Sequence, residues 1–132
     1  MRARVFRFAV WAVALAIGAP SCLSPTLPLP PPSVDASAEG ATGLWEVSGS
    51  CSAGGWVYAF NQTAQQRNQT EEGAFTVCST SGFYGLALEG KLCDLVNVWQ
   101  TEEDASNGSS STGFVLQPYQ NDAPTKPNAC PE

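Results

Sequence analysis

The residues with the most chemistry in this 132-residue chain are its five cysteines, Cys22, Cys51, Cys78, Cys93 and Cys130. In an oxidising compartment four of them make two disulfides and one is left over. Carboxylates cluster at Glu71-Glu72 and at Glu102-Glu103-Asp104, close to Asn107. Neighbouring residues on a strand face opposite ways, and a two-carboxylate mechanism needs a set separation across a cleft, so Glu71-Glu72 reads as an acidic turn. The oxygens of Glu102, Glu103, Asp104 and Asn107 suit a hard cation, but the alternating Asp spacing of a calcium loop is missing, and a solvated loop is expected. The chain has no histidine. That excludes Ser-His-Asp and Cys-His nucleophile pairs and removes the commonest transition-metal ligand. No catalytic residue, metal site or cofactor is expected, and the chain reads as something other than an enzyme.

Trp45, Trp56, Tyr58, Tyr84 and Trp99 would make a carbohydrate or peptide platform if their rings met solvent, although large aromatics in so small a domain are more often core. The sequence alone assigns no binding surface. Asn61-Gln62-Thr63, Asn68-Gln69-Thr70 and Asn107-Gly108-Ser109 match the N-glycosylation pattern, which matters only in a eukaryotic secreted protein.

The N-terminus carries the address. Arg2, Arg4 and Arg7 precede the apolar run Phe8 to Ala19, and small residues follow. This is the tripartite plan of a removable secretory signal over residues 1–21. The alternative is a membrane anchor, but 12 helical residues rise only about 18 Å against a hydrocarbon core of roughly 30 Å. Three of the six basic residues lie in this segment, so the remainder sets three basic against 12 acidic residues, a net charge of −9. Such a surface repels phosphate backbones, which argues against nucleic acid as a partner.

Gly18-Ala19-Pro20-Ser21-Cys22 resembles the lipobox of bacterial lipoproteins, in which a Cys following small residues becomes the acylated first residue. Ala19 stands where Leu is usual, and Pro20 is an uncommon neighbour. The resemblance implies lipidation at Cys22. Leu23, in place of the Asp associated with inner-membrane retention, implies the outer membrane. Parity supports this, because acylating Cys22 leaves an even number of cysteines. Cleavage without acylation would give a soluble secreted protein instead.

These groups need elements to hold them. Five prolines between Pro25 and Pro32 remove amide donors and fix φ, which predicts an extended spacer. Over residues 22–41 this would be a disordered, lipid-anchored tether of up to roughly 60 Å. From Leu44 onward, short β-rich runs alternate with turns and no helical period is evident. Strands are predicted at 44–51, 56–60, 73–78, 83–88, 92–100 and 113–117, with 61–72 a polar loop containing at most a weak edge strand. The expected fold is all-β: an antiparallel sandwich of six or seven strands over residues 42–119, followed by an irregular tail over 120–132. A small barrel is the alternative. A folded part of about 80 residues is marginal without staples. Four cysteines allow three pairings. The preferred one is Cys78–Cys93, closing a loop over the 83–88 strand, with Cys51–Cys130 pinning the tail.

The stretch from Trp45 to Gln117 also resembles the carboxypeptidase-regulatory, or transthyretin-like, sandwich family. The residues concerned are Val47-Ser48-Gly49, Trp56-Val57-Tyr58-Ala59-Phe60, Glu71-Glu72-Gly73-Ala74-Phe75, Leu86 with Leu88, and Asp94-Leu95-Val96-Asn97-Val98. Lys91-Leu92-Cys93 interrupts the pattern between Gly90 and Asp94, and the cysteines are additions. The resemblance implies an Ig-like module with an accessory or adhesive role, with Phe75 in the core and Asp94 accepting backbone bonds at a strand start. The functional expectation is an exported, lipid-anchored module with a non-catalytic binding or structural role at the cell envelope. Its membrane contact runs through the lipid on Cys22, its envelope or extracellular partner is unidentified, and it is expected to be a monomer.

Overall fold

Alternation of inward apolar and outward polar or small side chains makes the strands, and two such surfaces bury each other. In β2 (Leu44–Ser50), Trp45 and Val47 point inward and Glu46 outward; in β5 (Phe83–Glu89), Tyr84, Leu86 and Leu88 are the buried set. The computed structural model describes residues 27–41, 43–68, 73–103, 107–121, 123–125 and 130. The expected signal segment 1–21, Cys22, Glu71, Glu72 and Asp104 lie outside them.

The other elements are β1 (Ala36–Glu39), β3 (Trp56–Asn61), α1 (Gln62–Asn68), β4 (Gly73–Val77), β6 (Leu95–Thr101), β7 (Thr112–Val115), β8 (Tyr119–Gln120) and β9 (Ala123–Pro124). They form two antiparallel sheets, ordered β5-β2-β1-β8-β9 and β4-β3-β6-β7. The chain is a disulfide-stapled antiparallel β-sandwich. Val57 and Ala59 of β3, and Val96 and Val98 of β6, meet Trp45, Val47 and Leu88 of the opposite sheet, with Leu116 closing the core. Each fully buried aliphatic contributes about 1.5–3 kcal/mol. β3, apolar on both faces, lies inside its sheet between β4 and β6.

Five expectations are corrected. First, residues 62–68 form a helix. The Asn61 Oδ1 accepts the Ala64 amide at 2.9 Å, an N-cap, and Gln, Ala and Arg are good helix formers. Second, the disulfides are Cys51–Cys78 and Cys93–Cys130, replacing Cys78–Cys93 and Cys51–Cys130. Cys51 follows β2 and Cys78 follows β4, so the first bond ties the two sheets together. Cys93 precedes β6, where Leu116 accepts its amide, and Cys130 returns to the same place beside the Leu116 carbonyl. Third, Phe75 does not plug the core; it is 63 % exposed, because β4 turns its larger side chains outward.

Fourth, the described part of the proposed tether is folded. Residues 27–35 run as a strap across one end of the sandwich into β1. The prolines have no amides to give, so their carbonyls take donors from side chains. Gln100 Nε2, on a buried residue of β6, donates to the Pro30 carbonyl at 2.5 Å, and Thr112 Oγ1 donates to Pro32 at 2.8 Å. Ser33 and Asp35 then donate their amides to Ser50 and Ser48 of β2. Pro32 is fully buried and Val34 joins the core. The strap thus bridges the two sheets, and Leu27 already belongs to the folded unit. Fifth, at the far end of the chain, β8 and β9 add two short strands to what was expected to be an irregular tail.

Candidate functional site

Strand β3 places Trp56, Tyr58 and Phe60 on the face opposite Val57 and Ala59. The smaller side chains fit between the sheets and the rings are left outside. Tyr58 pairs across the ladder with Phe75 of β4 and with Trp99 of β6, while Trp56 pairs with Val77. The result is a row of rings crossing three strands. Centroids lie 5.5 Å apart for Trp56–Phe75, 6.1 Å for Tyr58–Phe75 and 5.6 Å for Tyr58–Trp99. The interplanar angles are 33°, 33° and 13°, so Phe75 is tilted against Trp56 and Tyr58, and Tyr58 and Trp99 are stacked. Such pairs stabilise a sheet by about 0.5–1.5 kcal/mol each, which accounts for the packing of ring against ring. It does not account for the outward faces. Phe75 and Val77 are 63 % and 52 % exposed, with Leu95 exposed further along β6. Strands β3, β4, β6 and β7 contain no Asp, Glu, Lys or Arg, whereas β1, β2 and β5 carry Glu39, Glu46 and Glu89. One sheet of an acidic protein is therefore uncharged and aromatic on its outer side.

Of the five aromatics named from the sequence, the structure divides the set. Trp56, Tyr58 and Trp99 come together on this face; Trp45 and Tyr84 are buried. Burial and the nearby Asp35 carboxylate raise the Tyr84 pKa well above its usual value, and its hydroxyl donates to the Ser33 carbonyl at 2.7 Å. Phe75 was missed. Its signal was present in β4, where Phe75 and Val77 share one face and only Ala74 and Thr76 occupy the other.

A polar cluster sits at the opposite end of the sandwich from the strap. Asp94 accepts Asn61 Nδ2 and the Lys91 amide, both at 2.9 Å, and Arg67 Nη2 at 2.5 Å. Asn61 also gives a bond to the Glu89 carbonyl. The partners come from the end of β3, from α1 and from the β5–β6 connection, so the cluster locks α1 and the β5–β6 turn onto the sheet. The strand-start role expected of Asp94 is present. Because Asn61 is fully buried and bonded, the Asn61-Gln62-Thr63 triplet offers no exposed amide.

Glu102 and Glu103 open the loop after β6, and Asn107 turns its amide to the Leu27 carbonyl at 3.0 Å. Among the described residues no group of three or more His, Cys, Asp or Glu is placed to hold a metal ion. A shallow groove of about 410 Å³ runs over the outer side of the other sheet, floored by Ala36, Ala38, Ser48, Gly85 and Ala87, with Glu46 in its wall. Scans against protein-family models and against curated proteins find no match for the chain.

Proposed function

We propose that this chain is an exported, lipid-anchored β-sandwich module of transthyretin-like type that binds an envelope or extracellular partner without catalysis. The aromatic face of its four-stranded sheet is the contact surface. The observation that carries this reading is the uncharged row of Trp56, Phe75, Tyr58 and Trp99 left facing outward. Rings packed against one another offer apolar area at small entropic cost, and contiguous exposed apolar surface marks interaction sites. The two disulfides fit an oxidising, extracytoplasmic compartment.

Two measurements test the reading. Intact mass of the protein from its native host should show a chain beginning at Cys22 with added diacylglyceryl mass. A soluble, unmodified chain would instead favour a secreted binding or inhibitory protein. Separately, wild type and a Trp56→Ser/Phe75→Ser/Trp99→Ser variant of matching circular dichroism are compared for retention on isolated envelope and on immobilised polysaccharides and peptides. Retention lost in the variant supports the face as the contact surface; equal retention rejects it.

A further inference from the structure

We infer that the proline-rich strap holds the domain against the lipid bilayer, with the end of the sandwich carrying Leu27, Asn107 and Ser109 turned to the lipid surface. This rests on acylation of Cys22, the reading given above, and adds to it a distance and an orientation. A free tether from Cys22 to Ala41 would let the domain stand up to roughly 60 Å from its anchor. The strap removes most of that length. Leu29 bridges to Ser109, Leu27 takes a bond from Asn107, Pro30 one from Gln100 and Pro32 one from Thr112, and Ser33 and Asp35 bond to β2. With Pro32 and Val34 inside the core, the strap is part of the packed domain.

Only the five steps from Cys22 to Leu27 then separate the lipidated residue from the fold. At no more than about 3.6 Å per residue, they reach about 18 Å at most. A leash that short, attached at one end of the strands, allows little choice of which end faces the membrane. The end in question presents Leu27, whose side chain is 83 % exposed and apolar. Glu102 and Glu103 begin the neighbouring loop, so charge does not draw this end to anionic headgroups. Proximity comes from the leash, and contact should therefore be insensitive to salt.

The test is neutron reflectometry of the full acylated chain, purified from its native host, on a supported phosphatidylcholine bilayer, after intact mass has established the modification. The comparison is a variant with about 20 Gly/Ser residues inserted between Ser24 and Pro25, which adds a root-mean-square span of about 25 Å without touching the strap. Wild-type protein density should begin at the headgroups, with a gap no larger than about 18 Å, the same at low and high salt, and should widen only in the insertion variant. A water-filled gap of several times that length in the acylated wild type would show the strap released and overturn the inference while leaving the lipid anchor standing. A chain lacking acyl mass at Cys22 would overturn the anchor itself.

Discussion

The hydroxyl of Tyr84, on β5, donates a 2.7 Å hydrogen bond to the carbonyl of Ser33, at the point where the strap enters the sandwich. The bond joins a residue that the strand alternation turns inward to a segment whose sequence reads as a linker. Burial first, and the Asp35 carboxylate second, disfavour the phenolate and raise the Tyr84 pKa. The unfolded chain loses this proton near pH 10 while the folded one keeps it, so the folded state binds more protons in alkali. Stability from this group is fully present below about pH 10 and is lost as the pH climbs further. Urea midpoints measured at pH 8 and pH 11 should fall between the two in wild type. Tyr84→Phe should cost roughly 1–2 kcal/mol at pH 8 and show a smaller fall.

Gly49 faces the same place. A Cβ there would run into the Ser33 carbonyl and come within 3.0 Å of the Tyr84 ring. Gly49→Ala should therefore displace the strap and cost about 1–3 kcal/mol. Limited proteolysis should then cut before β1, where the wild type resists. An uncut strap would show that the sheet around β2 absorbs the methyl group.

Asp94 holds three donors while its side chain is 5 % exposed; Arg67 is 32 % exposed. Removing the carboxylate leaves the Lys91 N–H without its acceptor and the Asn61 amide with only the Glu89 carbonyl. Asp94→Ala should cost about 3 kcal/mol. Arg67→Ala should cost only about 1 kcal/mol, because solvent already screens the guanidinium. Equal losses in chemical denaturation would contradict this ranking.

The disulfides close 27 and 37 residues of sequence separation. On the chain-entropy account, losing either costs about 3.5–4 kcal/mol. Non-reducing peptide maps should recover Cys51 with Cys78 and Cys93 with Cys130. Thermal melting of C51S/C78S and of C93S/C130S should give similar drops.

Phe75→Ser should change stability by no more than about 1 kcal/mol, since it forfeits ring pairs and little burial. Val98→Ala, in the core, should cost about 1–3 kcal/mol. Calorimetry of both distinguishes a surface phenylalanine from a core one.

Much of the sandwich could be read from residues in order. Trp45 with Val47, Tyr84 with Leu86 and Leu88, and Val96 with Val98 alternate at the period of a strand, and that period is a local property. The predicted β6 lost only its first three residues, to the turn that holds Cys93 and Asp94. The helix was legible in principle as well, since Asn61 ahead of Gln, Ala and Arg is a capped start, but about two turns show too little of a face to count. Alternation also says that two faces differ without saying which lies inside. The rings of Trp56, Tyr58 and Trp99 are larger than the valines and alanine behind them, yet the valines and alanine are buried. The inter-sheet space takes the side chains that fit, and the indole of Trp45 already fills much of it.

The sequence by itself determined the strands between residues 44 and 117, the turns, the acidic balance and the absence of histidine chemistry, because each depends on residue type and near neighbours. Tertiary structure alone decided the disulfide partners, the outward turn of the aromatic row and the docking of the proline strap. Each of these depends on which distant segments come to lie side by side. Cysteine spacing carries no record of sheet order, and a proline carbonyl gives no sign that Gln100, 70 residues further along, will supply its donor.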